Sequence, residues 1–358
     1  MSARIRIGIS GWRYAPWRGS FYPPGLSQKN ELAYAASRLP CLEINGSFYS
    51  LQRPENYRAW YEATPDDFRF AVKGSRFITH MLRLNADVPL ANFFASGVLC
   101  LKEKLGPFLW QLPPNFQFDP GRIELFLQRL PRNTRDLAAY GARADRRVRG
   151  RTALGVDRNR KVRHAMEIRH QSFVTPEFTA LLRRYDVALV VAETARKWPM
   201  IREVTTDFVY MRLHGDTELY RSGYSDRALE SWAAQIREWA AVTREIYCFF
   251  DNTDVKLRAP FDALSLMKKL GIEWTPDPAI TAPLTRRSGR PPEKPAAQKR
   301  KHEKPVTNAN RKSRGKRNIG ARRDVALDDS GAHEKQDASR KHKRSARGSL
   351  AQRRTPRA

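Results

Sequence analysis

Short apolar runs alternate with longer stretches of helical period through the first 280 residues of the chain. The apolar runs predict strands at 4–10, 41–48, 68–75, 107–112, 165–170, 187–193, 207–214 and 245–252. Between them, apolar positions recur at helical spacing over 28–38, 54–63, 89–103, 121–130, 175–184, 226–241 and 260–270. Pro54 and Pro176 sit in first turns, Ser225 precedes Asp226 as an N-cap, and Gly271 stands where a helix stops. The helix expected after the sixth strand is the weakest element, because 195–205 has little periodicity. Strict strand–helix alternation predicts a parallel sheet with crossover helices. Eight such units without a second core predict an α/β protein, a single (β/α)8 TIM-type barrel over 1–280.

Within three of these strands the polar residues share one parity. Leu42/Ile44, Met166/Ile168 and Met211/Leu213 alternate with Glu43/Asn45, Glu167/Arg169 and Tyr210/Arg212/His214. Successive strand side chains point to opposite faces, so each polar set faces away from the packed side. In a barrel those residues converge on the C-terminal mouth of the strands, where barrel active sites lie. The same parity adds Ser10 and Trp12, Lys73 and Ser75, Gln111, and Asn252 from the eighth strand.

Charge is spread unevenly. Residues 281–358 hold 24 Lys/Arg against 7 Asp/Glu, a net of +17, with no Trp, Phe or Tyr. Such a segment cannot offset its own ordering entropy and is expected to be a disordered basic tail. A second basic stretch, 143–163, reads as a connecting loop. Both suit sequence-blind contact with nucleic-acid phosphates, the alternative to a small-molecule function. Cys41, Cys100 and Cys248 form no CxxC pair, which points to a reduced, cytoplasmic setting. No apolar run is long enough to span a membrane, so no membrane partner is expected.

The predicted mouth carries Glu43 and Glu167 as acid/base candidates, with His214 as a third. Lys73, Arg169 and Arg212 outnumber the carboxylates, and guanidinium forks match phosphate and carboxylate oxyanions. The expected ligand is a small anion, with Trp12, Asn45, Gln111 and Asn252 completing its site. Mutual neutralisation of the charges in the top layer of the barrel is the competing reading. Glu43, Glu167, Glu193 and His214 could gather around a divalent ion, but adjacent cations oppose it, and no metal is assigned. There is no GxGxxG or Walker loop for a nucleotide and no GxSxG elbow for a Ser/His/Asp triad, and the cofactor is left unknown. Two carboxylates at one mouth leave glycoside hydrolysis open.

Seven ordered blocks carry a family resemblance. Among them are IGISGWRYAPW at 7–17, LEINGSFYSLQRP at 42–54, FRFAVKGSRFITHMLRL at 68–84, MEIRHQSF at 166–173 and YCFFDNT at 247–253. Together they resemble the domain-of-unknown-function-72 (YecE-like) family over roughly residues 4–272. The resemblance implies a TIM-type barrel and supplies no established activity. Its pattern touches Trp12, Glu43, Asn45, Lys73, Thr79, His80, Gln111, Glu167, Arg169, Arg212, His214 and Asn252. The chain departs from it at Glu193, where an aspartate is usual, and at Phe250-Asp251-Asn252, where Phe-Asn-Asn is usual.

Overall fold

The computed structural model describes residues 3–251 and 257–276. Eight parallel strands close into one barrel in sequence order. They are β1 (Arg4–Ser10), β2 (Cys41–Ile44), β3 (Arg69–Lys73), β4 (Leu105–Gln111), β5 (His164–Glu167), β6 (Val187–Glu193), β7 (Phe208–Leu213) and β8 (Glu245–Phe250). Closure is made by β1 against β8, paired from Arg4↔Glu245 to Ile9↔Phe250. All eight predicted strands are present, and the expected tail, 281–358, lies outside the described residues.

Helices cover the barrel: α1 (Glu31–Arg38), α2 (Gly46–Tyr49), α3 (Pro54–Glu62), α4 (Asp87–Ala95), α5 (Pro120–Arg129), α6 (Thr134–Gly141), α7 (Pro176–Arg184), α8 (Asp226–Val242) and α9 (Ala259–Lys269). Their ends follow local chemistry. Thr175 and Ser225 accept the backbone N–H of Phe178 and Ala228, caps worth about 1 kcal/mol each. After α9, Gly271 (φ +65) donates to the Lys268 carbonyl and Ile272 to that of Met267, a Schellman ending.

Two predicted elements differ, and one helix is an addition to the predicted set. The helix expected over 89–103 breaks at Gly97 (φ +112), where a Cβ would lie 2.6 Å from Pro54 Cα, and continues as a 3-10 segment, Val98–Lys104. The strand expected over 41–48 ends at Ile44 because Asn45 turns to helical dihedrals and starts α2. Helix α6 has no counterpart in the predicted set; Asn133 caps it by accepting from Arg135 and Asp136 N–H. The aperiodic stretch after β6 forms no helix.

The strands divide the core in two. Outward side chains such as Ile9, Leu42, Phe70 and Trp110 pack under the helices. Inward ones, among them Cys41, Ala71, Leu109, Ala165, Tyr210 and Phe249, fill the barrel. Small residues on some strands make room for the Tyr and Phe rings of others. No described helix is long and apolar enough to cross a membrane.

Candidate functional site

The inward parity ends in charge at the C-terminal rim. Glu43, Lys73, Gln111, Glu167 and Arg212 are each 8 % exposed or less. Arg212 is the hub. Its Nε donates to Glu43 Oε2 (3.1 Å), its Nη1 to Glu167 Oε2 (2.8 Å), and its Nη2 to Glu43 Oε1 (2.9 Å) and Asp251 Oδ2 (2.8 Å). Nη2 also reaches Ser10 Oγ at 3.3 Å. Glu43 is engaged at both oxygens, since Ser10 donates to Oε1 (2.8 Å) and Tyr210 to Oε2 (2.7 Å). Arg169 Nε donates to Glu167 Oε1 at 2.9 Å, while its guanidinium lies 4.0 Å over Trp198 and reaches Tyr220 Oη at 3.3 Å.

His214 sits beneath this hub with no exposure. Arg212 Nη1 lies 3.3 Å from His214 Nε2, and a guanidinium can only donate. That leaves the proton on Nδ1, 3.2 Å from Asp251 Oδ2. Burial and Arg212 lower the imidazole's pKa, so it stays neutral. Burial raises Glu167, but Arg212 and Arg169 outweigh it and hold the carboxyl well below the usual range. Asp251 is likewise raised by burial and pulled down further by Arg212, to about 2.

Lys73 stands apart. It ends β3, is 8 % exposed, and its Nζ lies 4.3 Å over the Phe48 ring. The Glu43, Glu167 and Asp251 carboxylates pair with Arg212 and Arg169, and Lys73 makes no ion pair or side-chain hydrogen bond among the described residues. Burial, then Arg212, lowers its pKa to about 8. A five-residue π-turn, Phe77–Met81, follows β3 and sets His80 edge-on to Phe48, ring to ring at 5.1 Å. Such turns are frequent at functional sites. Burial, Lys73 and Arg169 lower His80 to about 4. Two acceptors on the same rim, Asn45 Oδ1 and Gln111 Oε1, are buried without a partner.

The structure thus gathers Glu43, Lys73, Gln111, Glu167, Arg169, Arg212 and His214, with Asn45 beside Gly11. It moves Trp12 elsewhere. Gly11 (φ +76) breaks the alternation of β1, and the Trp12 indole packs edge-on to Trp60 (5.3 Å) and near Phe70 (6.3 Å) under the helices. Trp12 is a packing residue there, 8 % exposed within the cluster under the helices. Arg212, expected as an anion clamp, has its donors committed to protein acceptors. Glu193 follows inward Ala192 and so lies on the opposite parity, away from the mouth. Asn252 lies outside the described residues; the neighbour that enters the network is Asp251. That residue was legible, because Tyr247 and Phe249 face inward and Asp251 continues their parity. Tyr220 and Trp198 come from loops and carry no periodic signal. Among the described residues no cluster has the makings of a metal site.

Comparison with known proteins places this geometry in context. The family described as "Protein of unknown function DUF72" matches residues 6–285. Two curated relatives are UPF0759 protein YunF of Bacillus subtilis, 31% identical over 120 residues, and UPF0759 protein YecE of Escherichia coli K12, 31% identical over 112 residues. Each alignment takes in 31% of this chain, and 41% and 39% of the respective relative, so about two fifths of those proteins is spanned. A solved DUF72 family protein from Thermotoga maritima MSB8 is 25% identical, with TM-score 0.60 over 75% of this chain and 99% of its own. Another, from Enterococcus faecalis V583, is 18% identical, with TM-score 0.59 over 75% and 96%, a likeness of fold.

Proposed function

This chain belongs to the DUF72 family, whose function is unknown, and on that premise we propose that its barrel mouth binds a small hydroxylated anion. One observation carries the reading. Lys73 is a buried cation with no counter-ion in contact among the described residues, on a rim where Arg212 and Arg169 already hold the three carboxylates. Buried charges are normally paired, so an unpaired one invites a charged ligand. Arg169 adds donor capacity beyond the bonds it makes to Glu167 and Tyr220. Asn45 Oδ1 and Gln111 Oε1 would accept from ligand hydroxyls, which favours a phosphorylated or carboxylated polyol over a bare anion. Glu43, Glu167, Arg212 and His214 then act as the platform that holds these contacts in place. The free, buried state of Cys41 and Cys248 supports a reduced, cytoplasmic setting for this chemistry.

Titration of the full chain with inorganic phosphate and with citrate tests this. Either anion is expected to raise the melting temperature, and Lys73→Met to weaken the tighter one at least about tenfold. Equal binding by wild type and Lys73→Met, or no response to either anion, would overturn it.

A second reading has its own observation. In the 143–163 loop, Arg143, Arg146, Arg149, Arg151 and Arg158 are exposed and make no ion pair among the described residues. Their neighbours Arg160, Lys161 and Arg163 are paired with Asp157, Asp207 and Glu245. We propose this strip, together with 281–358, as a nucleic-acid contact independent of the mouth. Changing Arg149 and Arg151 to Glu should lower duplex affinity and flatten its salt dependence by about two charges. An unchanged slope would remove the loop from the interface.

A further inference from the structure

We infer that Lys73 is a nucleophile, which condenses through its side-chain amine with the carbonyl of an anionic aldehyde or ketone to form an imine. The inference rests on the anion-binding reading of the mouth and names the reactive class of its ligand. An imine-forming lysine needs an amine that salt bridges and carbonyls leave free, shelter from bulk water, and a nearby cation to seat the substrate's anion. Lys73 meets each requirement. Its Nζ rests on an aromatic face, without a hydrogen-bond acceptor among the described residues. The side chain is 8 % exposed, and Arg169 stands over the same rim.

The fold contains an internal control. Lys73 and Lys104 are the two buried lysines among the described residues. Both have lowered pKa values, chiefly from burial. Lys104, however, donates to the backbone carbonyls of Tyr61 (2.8 Å) and Thr64 (2.6 Å) and ties α3 to the segment before β4. Its nitrogen is committed. A lowered pKa alone therefore does not separate the two, whereas the absence of a bonding partner does.

The step balances without an oxidant or a metal. The amine lone pair attacks the carbonyl carbon, a C–N bond forms, and the carbonyl electrons move to oxygen. That oxygen then leaves as water, taking one hydrogen from the nitrogen and a second proton from solvent, and a protonated C=N bond remains. Two features of the site serve the transfers. His80, held neutral by burial and the neighbouring cations, shares the Phe48 ring with Lys73 and can relay a proton. Burial and Arg212 oppose reprotonation of the free amine. The π-turn after β3 brings His80 to this position, so both groups come from one strand end.

The experiment uses the full chain with dihydroxyacetone phosphate, and separately with pyruvate, under borohydride, followed by peptide mapping. With at least one probe, a reduced adduct is expected on Lys73 at least about tenfold faster than on exposed Lys29, Lys102, Lys161 and Lys197. Its rate should rise between pH 6 and 8. Inorganic phosphate should compete, Lys73→Arg should abolish the adduct, and Lys104→Arg should leave it unchanged. Adducts scattered over the exposed lysines, or none on Lys73 with either probe, overturn the inference. If phosphate still binds in a Lys73-dependent way, only the imine step falls. If phosphate binding is absent as well, the anion reading falls with it.

Discussion

Arg212 Nη2 lies 2.8 Å from Asp251 Oδ2, a contact that joins β7 to the residue following β8 and brings a third carboxylate onto a guanidinium already holding Glu43 and Glu167. With Lys73, Arg169 and Arg212 opposite these three acids, the formal charges of the mouth cancel. An anion drawn to the site therefore answers to the placement of its charges, with Lys73 the cation left unpaired.

Removing the hub is expected to be costly. Arg212→Met takes the guanidinium from Glu43 and Asp251 and leaves Glu167 only that of Arg169, and breaking a buried pair this way costs about 3–5 kcal/mol. Urea unfolding at pH 7 measures the loss. Part of it should return toward pH 4, where carboxylates in the variant can protonate. A loss below about 1 kcal/mol would mean that the network contributes little.

Asp251 sets a pH window. Its pKa is about 2 in the folded protein, against about 4 in an unfolded chain. The folded state thus binds fewer protons, and the resulting stability is present above about pH 4 and lost as pH falls toward 2. The stability difference between wild type and Asp251→Asn should shrink over that interval. A difference that stays constant from pH 5 to pH 2 would contradict the assignment.

For Lys73 the slope has the same sign, but here the charged form is the one that costs stability. Its amine is about 8 when folded and 10.5 when free, so the unfolded chain binds more protons between those values and stability rises with pH there. Lys73→Met is expected to stabilise the protein at pH 7, on the order of 1–3 kcal/mol, with the advantage fading by pH 10.5. Denaturant midpoints at pH 7 and pH 10 decide it. A destabilised variant at pH 7 would show that Lys73 is compensated in the fold.

Trp12 separates packing from binding. Trp12→Ala removes a ring held between Trp60 and Phe70 and should cost about 3–5 kcal/mol of stability. Phosphate affinity, measured where the variant is still folded, should stay within about twofold of wild type. The reverse outcome, intact stability with lost affinity, would return Trp12 to the ligand.

The barrel was legible because its two periods are clean: eight apolar runs bounded by turn residues, and helices with Pro or Ser at their starts. The rim was legible as far as parity runs unbroken, from Tyr210 to His214 and from Glu43 through Ile44. It failed where the backbone leaves the pleat. Gly11 turns to positive φ and sends Trp12 outward. In β8 the reading passed over Asp251 for its neighbour, although Tyr247 and Phe249 fix the inward parity. Hydrogen-bond partners are a different matter. Nothing in the spacing of Arg212 and Lys73 tells which finds a carboxylate, because that depends on side-chain reach across the barrel.

Closure of β1 on β8 has a consequence for how the protein is made. Glu43 meets Arg212 across 169 positions of chain, and Asp251 arrives later still. Loop-closure entropy must be met before such distant contacts return anything. A nascent chain that has not yet released β8 from the ribosome holds Glu43 and Glu167 with no completed ring around them. The mouth is thus completed only after the chain has passed residue 251, and a chain halted before that point would carry most of the barrel's sequence without the closed ring of its rim.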